Sequence, residues 1–123
     1  MDTIKSSADI SQLFSEGRRY KNHFVTIIVL KRASQSNNEM EQHDRAGRVA
    51  FIAGKKLGNA VWRNSAKRRM RAICHDLGGP WRGLDVIFLA KSSLTEASYS
   101  KVLRACDKTL GCVLVDSRDE TDA

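Results

Sequence analysis

The stretch Lys55-Lys56-Leu57-Gly58-Asn59-Ala60-Val61-Trp62-Arg63-Asn64-Ser65-Ala66-Lys67-Arg68-Arg69-Met70-Arg71 organises the rest of this chain. Seven of its seventeen residues are Lys or Arg, and none is acidic. The acid-free zone is longer still, because no Asp or Glu occurs between Asp44 and Asp76. The positive charge is therefore a local feature of the chain and not only a basic average.

This stretch predicts a helix that begins after Asn59 and ends at Gly78. Asn59 suits the N-cap position, and Gly78, Gly79 and Pro80 stop the helix. Steps of about 100° per residue place an apolar stripe on one side, made of Trp62, Ala66, Met70, Ile73 and Leu77. A cationic face lies beside it, made of Arg63, Asn64, Lys67, Arg68 and Arg71. We expect one face to cover a core and the other to meet a partner.

The cationic face favours a polyanionic partner over a plain solvated surface. Solvated helix faces usually alternate Glu with Lys at i,i+4, because like charges at that spacing repel. Here Arg63, Lys67 and Arg71 follow one another at that spacing without an acid between them. Nucleic-acid phosphates would relieve this repulsion. The pattern therefore indicates a nucleic-acid-binding protein.

The same residues resemble the signature of the protein subunit of bacterial ribonuclease P. That family carries Lys-Lys-hydrophobic-Gly-Asn-Ala-Val-x-Arg-Asn-x-x-Lys-Arg-x-x-Arg, which runs here from Lys55 to Arg71. Two positions depart from the family. Ser65 stands where an Arg is usual, and Arg69 stands where an apolar residue is usual. The stem of Arg69 can pack at the edge of the apolar stripe, and its charge can stand in for the one missing at Ser65.

The composition indicates one small domain over residues 1–123. The chain has a mass of 13.8 kDa, a net charge of +7 and a pI of about 9.7. No apolar run is long enough to span a bilayer, and residues 1–5 lack the apolar stretch of a signal peptide. The cysteines Cys74, Cys106 and Cys112 have no CxxC spacing, so we expect reduced thiols and a cytoplasmic protein without a membrane partner.

Periodicity predicts an α+β fold with the element order α-β-β-α-β-α, a small sheet packed by helices. The expected helices span 6–17, 59–77 and 95–112, with Thr95 as the cap of the last, and the expected strands span 24–30, 48–53 and 85–90. Residues 33–47 are expected to be a mobile loop and residues 116–123 a disordered acidic tail. The resemblance, which covers about residues 6–113, implies that the basic helix forms a left-handed βαβ crossover.

A second basic cluster follows the first helix. Arg18, Arg19 and Tyr20 combine charge with an aromatic ring, which suits phosphate contact plus base stacking. A charged turn with Tyr20 half-buried is an equally open interpretation. The resemblance implies a cleft between the first helix and the sheet that holds the 5′ leader of precursor tRNA. Phe14 matches an aromatic of that cleft, whereas Ile10 and Ile27 or Ile28 stand where the family more often has aromatics.

The residues do not indicate a protein-borne nuclease centre. The acids are scattered along the chain, and the neighbours His75 and Asp76 point apart on a helix. The resemblance implies that the catalytic groups belong to an RNA subunit bound 1:1, and that Mg²⁺ is held mainly by RNA. The protein would then assist endonucleolytic removal of the tRNA leader. The implied RNA-binding residues are Lys55, Lys56, Asn59, Arg63, Asn64, Lys67, Arg68 and Arg71.

Other functions remain open from the residues alone. A ribosomal-type RNA-binding protein without a role in cleavage has the same composition. A membrane-surface helix is disfavoured because the strands need its modest apolar face. A DNA-binding helix-turn-helix is disfavoured because no partner helix precedes the basic one. Metal ligation by Cys74 and His75 with Cys106 or Cys112 has no supporting spacing.

Overall fold

The computed structural model describes residues 3–31 and 47–122, with the side chains of 116–122 outside the description. Its helices are α1 (Ser7–Glu16), α2 (Ala60–Asp76) and α3 (Tyr99–Asp122). Its strands are β1 (Arg18–Lys21), β2 (Val25–Lys31), β3 (Arg48–Ile52) and β4 (Leu84–Ala90). The predicted α+β class and element order are confirmed, with one strand added before β2. Of the predicted loop over 33–47, all but Gly47 lies outside the described residues.

The four strands form one sheet in the order β1-β2-β4-β3. β2 pairs antiparallel with both β1 and β4, whereas β3 pairs parallel with β4. α2 connects β3 to β4, so the basic helix is the crossover of a βαβ unit. Sequence reasoning missed β1 because its four residues carry three charges and no apolar alternation, a composition that suits an edge strand.

Helices cover both faces of the sheet. α2 and α3 pack on one face, where Val25, Val86 and Phe88 join the buried residues of those helices. α1 packs on the other face, where its buried Leu13 meets Ile28 and Ile87. Neighbouring strand residues point to opposite faces, so each central strand supplies both cores. The two cores fix α2 on one side of the sheet and α1 on the other.

Local signals set both ends of α2. Asn59 Oδ1 accepts a hydrogen bond from the Trp62 amide at 2.9 Å, as expected for an N-cap. After Asp76 the chain turns at Gly78, whose φ of +86° favours glycine. The Gly79 amide then donates to the Cys74 carbonyl at 2.8 Å. The predicted helix, 59–77, and the observed helix, Ala60–Asp76, agree to within about one residue at each end.

Two expectations about the last helix were wrong. Ser98 caps α3, accepting from the Lys101 amide at 3.2 Å, whereas Thr95 ends a 3-10 turn over Ser92–Thr95. The Thr95 hydroxyl instead accepts from the Trp62 indole, a contact that sequence alone does not show. α3 also continues to Asp122, beyond the predicted end of the last helix at residue 112. No Gly or Pro follows Gly111 to stop it.

The three thiols should differ sharply in reactivity. Cys74 and Cys106 are buried and Cys112 is exposed. Burial raises the pKa of both Cys74 and Cys106 to about 11. The ordinary pKa of a thiol is 9.0. The two buried, neutral thiols therefore contribute to stability below that pH, and this contribution is lost as the pH rises toward 11.

We therefore expect alkylation of the native chain at about pH 8 to label Cys112 alone. Unfolding in denaturant should expose all three thiols, which mass spectrometry would count. Labelling of Cys74 or Cys106 at the rate of Cys112 would contradict the burial of these thiols.

Candidate nucleic-acid interface

The cationic residues of α2 form one continuous face. The core side of the helix buries Ala66, Met70 and Ile73. The α2 basic face lies beside this stripe, and we define it as Arg63, Asn64, Lys67, Arg68 and Arg71. Asn64, Arg68 and Arg71 are exposed, whereas Arg63 and Lys67 are half-buried at its edge. This is the amphipathic arrangement that the helical spacing predicted.

Contacts with the sheet place the α2 basic face near β3. The Arg71 guanidinium carbon lies 5.6 Å from the centroid of the Phe51 ring. β3 is an outer strand of the sheet, so Arg71 points toward that edge. Arg63 is less accessible than its neighbours, because its Nε is buried without a hydrogen-bond partner among the described residues. The exposed cations of the face are therefore Arg68 and Arg71, and the half-buried Lys67 lies beside them.

Lys55 and Lys56 lie just before the helix. They are exposed on a 3-10 turn over Lys55–Leu57. Gly58 follows in extended backbone, and a Cβ there would come within 2.9 Å of the Trp62 side chain. This close approach requires glycine. Because the turn directly precedes α2, Lys55 and Lys56 lie near the amino terminus of the helix. The unpaired amides of that terminus also favour anions.

The predicted site residue Asn59 has a structural role, because its side-chain oxygen caps α2.

A further group of contacts joins α2 to residues 94–99. The Trp62 indole donates to Thr95 Oγ1 at 2.8 Å, and Arg69 Nη1 donates to the carbonyls of Leu94 and Ala97 at 3.0 and 2.7 Å. The Arg69 guanidinium therefore points away from the α2 basic face. It does not replace the Arg that the family usually has at position 65.

Tyr99 adds a contact near the end of α2. Its hydroxyl donates to Asp76 Oδ2 at 2.5 Å. Burial, followed by this hydrogen bond, raises the pKa of Tyr99 to about 12. The hydroxyl therefore stays protonated at neutral pH and keeps the bond to Asp76. Together with Trp62 and Arg69, Tyr99 fixes the orientation of α2 on the fold.

The four residues predicted for the leader cleft are divided between the two faces of the sheet. Phe14 and Arg19 lie together on the α1 side, where Arg19 Nη2 donates to the Phe14 carbonyl at 3.1 Å. The Arg19 guanidinium carbon also lies 5.6 Å from the Phe14 ring centroid. Tyr20 packs against the other core, and Arg18 lies on the same face, 6.0 Å from the Tyr20 ring. Strand alternation causes this division.

The α1 side presents a partly open surface. Half-buried Phe14 is joined there by the half-buried side chains of Ile52 and Leu89. The register Lys21↔Thr26↔Leu89↔Ile52 makes one row across the sheet on this face. We call Phe14, Arg19, Lys21, Ile52 and Leu89 the α1 surface. It combines an aromatic ring, apolar side chains and two cations, a mixture suited to single-stranded nucleic acid.

Sequence reasoning missed one exposed apolar residue. Val61 is 77% exposed on the outer side of α2. On the helical projection Val61 lies about 140° from the centre of the apolar stripe, on the side away from the core. It adds an apolar contact point next to Arg68 and Ser65.

The described side chains do not assemble a cluster of metal ligands. Among the side chains of residues 3–31 and 47–115, no three His, Cys, Asp or Glu lie close enough to hold a metal ion. His75 is mostly exposed and lies 3.7 Å from Asp76. In the same part of the chain, no helix is long and apolar enough to cross a bilayer. The cations of the site can hold a polyanion.

A comparison with known families finds a match over most of the chain. The family model described as ribonuclease P matches residues 1–113. The ribonuclease P protein component of Streptococcus mutans is 35% identical over 98 residues, which is 79% of this chain and 73% of that protein. The ribonuclease P protein component of Natranaerobius thermophilus is 32% identical over 104 residues, covering 83% of this chain and 81% of that protein.

Solved structures support the same fold. The RNase P protein of Staphylococcus aureus superposes with a TM-score of 0.73 at 20% identity, covering 92% of this chain and 95% of that one. The RNase P protein of Thermotoga maritima gives a TM-score of 0.67 at 20% identity, covering 86% and 92%. At this identity the likeness concerns the fold alone.

Proposed function

Because this chain belongs to the ribonuclease P protein family, we propose that its α2 basic face binds the catalytic RNA and its α1 surface binds the 5′ leader of precursor tRNA. As a member of that family, the chain is a subunit of the endoribonuclease that cleaves tRNA precursors to give the mature 5′ end. The RNA subunit is its partner. The protein would take part through two separate surfaces.

The single observation that carries the proposal is the α2 basic face. Lys67, Arg68 and Arg71 lie on one side of a helix that the contacts of Trp62, Arg69 and Tyr99 hold in a fixed orientation. Because these contacts already hold the helix, binding need not order its backbone, and each phosphate contact releases a condensed counterion. This favours binding to the regular phosphate spacing of a folded RNA. Lys55 and Lys56 extend the contact at the amino terminus of α2.

The α1 surface suits a single strand. Phe14 offers a ring for stacking, while Arg19 and Lys21 supply charge for the backbone. α1 and α2 pack on opposite faces of the sheet. One protein can therefore hold the catalytic RNA on one side and an extended leader on the other. We propose a 1:1 complex on this basis.

On this proposal the protein positions RNA and leaves bond cleavage to the RNA subunit. We propose that the ribonucleoprotein requires Mg²⁺, which would supply charge stabilisation at the scissile phosphate. The described protein residues do not fit a resident magnesium site, since they bring no three carboxylate, His or Cys side chains together. We place the ion on RNA and the protein in the cytoplasm, an assignment supported by its three free thiols.

The test measures the binding of precursor tRNA and of mature tRNA, first to the RNA subunit alone and then to the assembled complex. The proposal predicts that adding the protein tightens binding of the precursor and leaves binding of mature tRNA nearly unchanged, because only the precursor has a leader. A ribosomal-type RNA-binding protein would tighten both ligands or neither. That result would reject the leader-binding role.

Replacing Phe14 by alanine should weaken precursor binding in the assembled complex by about 5- to 150-fold, the loss of one stacked base at ~1–3 kcal/mol. Mature tRNA should bind as before. The measurement is the ratio of the two affinities, recorded with the thermal stability of the protein. A fall in stability with an unchanged ratio would show that Phe14 serves only the α1 core.

Replacing Ser65 by arginine should tighten binding to the catalytic RNA by about 1 kcal/mol, one charge-assisted contact to phosphate. Ser65 is exposed on α2, and Arg69 is engaged with Leu94 and Ala97, so the position has no substitute cation from Arg69. Titration of wild type and variant at the same salt concentration checks this. Equal affinities would show that residue 65 does not face RNA.

A further inference from the structure

A second basic surface lies at the opposite edge of the sheet from the α2 basic face. α3 carries Lys101, Arg104 and Lys108, all exposed and all within about 60° of one another on the helical projection. The only acid between Tyr99 and Val115 is Asp107, about 100° from Lys108. β1, the outer strand next to α3, adds Arg18 and Lys21. Apart from Lys21, this cationic surface plays no part in the function proposed above.

The surface contains a pocket between β1 and α3. We call it the β1–α3 pocket; it is lined by Tyr20, Lys21, Asn22, Lys108, Thr109 and Cys112. Its floor is tied together, because Asn22 Nδ2 donates to Thr109 Oγ1 at 3.1 Å and the Thr109 hydroxyl donates to the Ala105 carbonyl at 2.9 Å. Asn22 Oδ1 accepts from the amides of Phe24 and Val25. The pocket thus combines an aromatic wall, a preformed floor and two cations at its mouth.

Only the edge strand β1 separates the pocket from the α1 surface. Arg19 faces α1, whereas the next residue, Tyr20, faces α3. Lys21 belongs to both regions, since it ends the row on the α1 side and also lines the pocket. A strand of RNA that leaves the α1 surface over the β1 edge therefore meets Lys21 first and the pocket next.

We propose that the β1–α3 pocket binds an unpaired nucleotide of the 5′ leader, at a point farther from the cleavage site than the part on the α1 surface. Tyr20 lies beside the base, and Lys21 and Lys108 contact the flanking phosphates. Double-stranded RNA does not fit, because its bases are stacked and paired and cannot enter a pocket. This proposal rests on the proposed leader binding and extends it to longer leaders.

The pocket should not select a particular base. The polar side chains of its floor, Asn22 and Thr109, are already hydrogen-bonded within the protein. Recognition then depends on stacking and backbone charge, which tolerate any sequence. The protein would prefer long leaders over short ones without preferring a leader sequence.

The experiment uses the complex assembled with the catalytic RNA and two precursors, with leaders of about four and about sixteen nucleotides, the range of site sizes for single strands. The variant carries Lys21→Ala and Lys108→Ala. A matched control carries Lys5→Ala and Arg82→Ala, which removes two exposed charges elsewhere. Affinities are measured over a range of salt concentrations.

We expect the wild-type complex to bind the long-leader precursor more tightly. For this substrate the double variant should bind more weakly, and its plot of log affinity against log salt should be less steep by about 1.4 units, from two single-strand contacts at about 0.7 each. The short-leader precursor should lose only the contact of Lys21 on the α1 surface, a slope change of about 0.7 units, and the catalytic RNA should bind the variant as it binds wild type. The control should match wild type throughout.

Cys112 gives an independent readout, because it is exposed and lines the pocket. The long-leader precursor should slow its alkylation, and the short-leader precursor should not. Equal losses for both precursors, or weaker binding of the catalytic RNA, would instead make this surface a docking site for the RNA subunit and overturn the proposal. An unchanged salt slope with no protection of Cys112 would also overturn it. Failure of the proposed function itself would be visible separately, as a wild-type complex that does not distinguish precursor from mature tRNA.

Discussion

Replacing Lys67, Arg68 and Arg71 together by alanine should lower the affinity for the catalytic RNA by about 100-fold near physiological salt, because three phosphates lose their cationic partners. Of these residues, Arg68 and Arg71 are exposed and Lys67 is half-buried on the α2 basic face. Arg63 is left in place because its Nε is buried and its removal would disturb packing as well as charge. Each duplex phosphate that loses its cation should also reduce the salt slope of log affinity by about 0.9 units.

The control for this variant must separate charge from folding. Lys5 and Arg82 are exposed and lie outside α2, so a Lys5→Ala and Arg82→Ala chain lowers net charge without touching the α2 basic face. Thermal unfolding should give similar midpoints for all three chains, since none of the changed residues is buried. If the salt slope of the triple variant equals that of wild type, the α2 basic face does not bind phosphate.

The second large effect concerns stability. Replacing Arg48 by methionine should reduce the free energy of unfolding by about 3–5 kcal/mol, because it removes the cation that pairs with a buried carboxylate. Arg48 donates to both Asp85 oxygens, at 3.1 and 2.7 Å, and to Asp9 at 3.1 Å. The Asp85 side chain is only 8% exposed. These bonds, first the one to Asp85, raise the pKa of Arg48, so the guanidinium stays charged.

A matched variant tests whether burial is the cause. Asp9→Asn removes only the more exposed partner, whose side chain is 38% accessible, and should cost no more than about 1 kcal/mol. Chemical denaturation of the wild-type chain and the two variants gives both values. If Arg48→Met lowers the free energy of unfolding as little as Asp9→Asn does, the ion pair with Arg48 does not stabilise the buried Asp85 carboxylate. In that case the link that Arg48 makes between α1 and the sheet is also unimportant for stability.

The basic helix was predictable from sequence because its signals are local. Asn59 and Gly78 mark its ends, and helical spacing separates Ala66, Met70 and Ile73 from the cationic residues. The Arg48–Asp85 pair was not predictable, because it depends on the parallel register of β3 and β4. That register joins residues 37 positions apart, and neither residue shows a local sign of it.

The candidate site also has one part that local sequence signals predict and another part that they do not. The α2 basic face follows from one helix, and its residues lie where the spacing placed them. The four residues predicted for the leader cleft lie on two faces because Arg18–Lys21 is a strand, which sends Arg19 to one face and Tyr20 to the other. The role of Arg69 was also out of reach, since its partners Leu94 and Ala97 lie 25 and 28 residues away along the chain.

The most direct test of the proposed role is cleavage of precursor tRNA by the catalytic RNA at low magnesium concentration. Three reactions are compared: RNA alone, RNA with the wild-type protein, and RNA with the Lys67→Ala, Arg68→Ala and Arg71→Ala variant. We predict little cleavage without protein, accurate release of the 5′ leader with wild type, and recovery by the variant only at higher protein concentration. Wild-type protein that binds the RNA but leaves the cleavage rate unchanged would contradict a role in tRNA maturation.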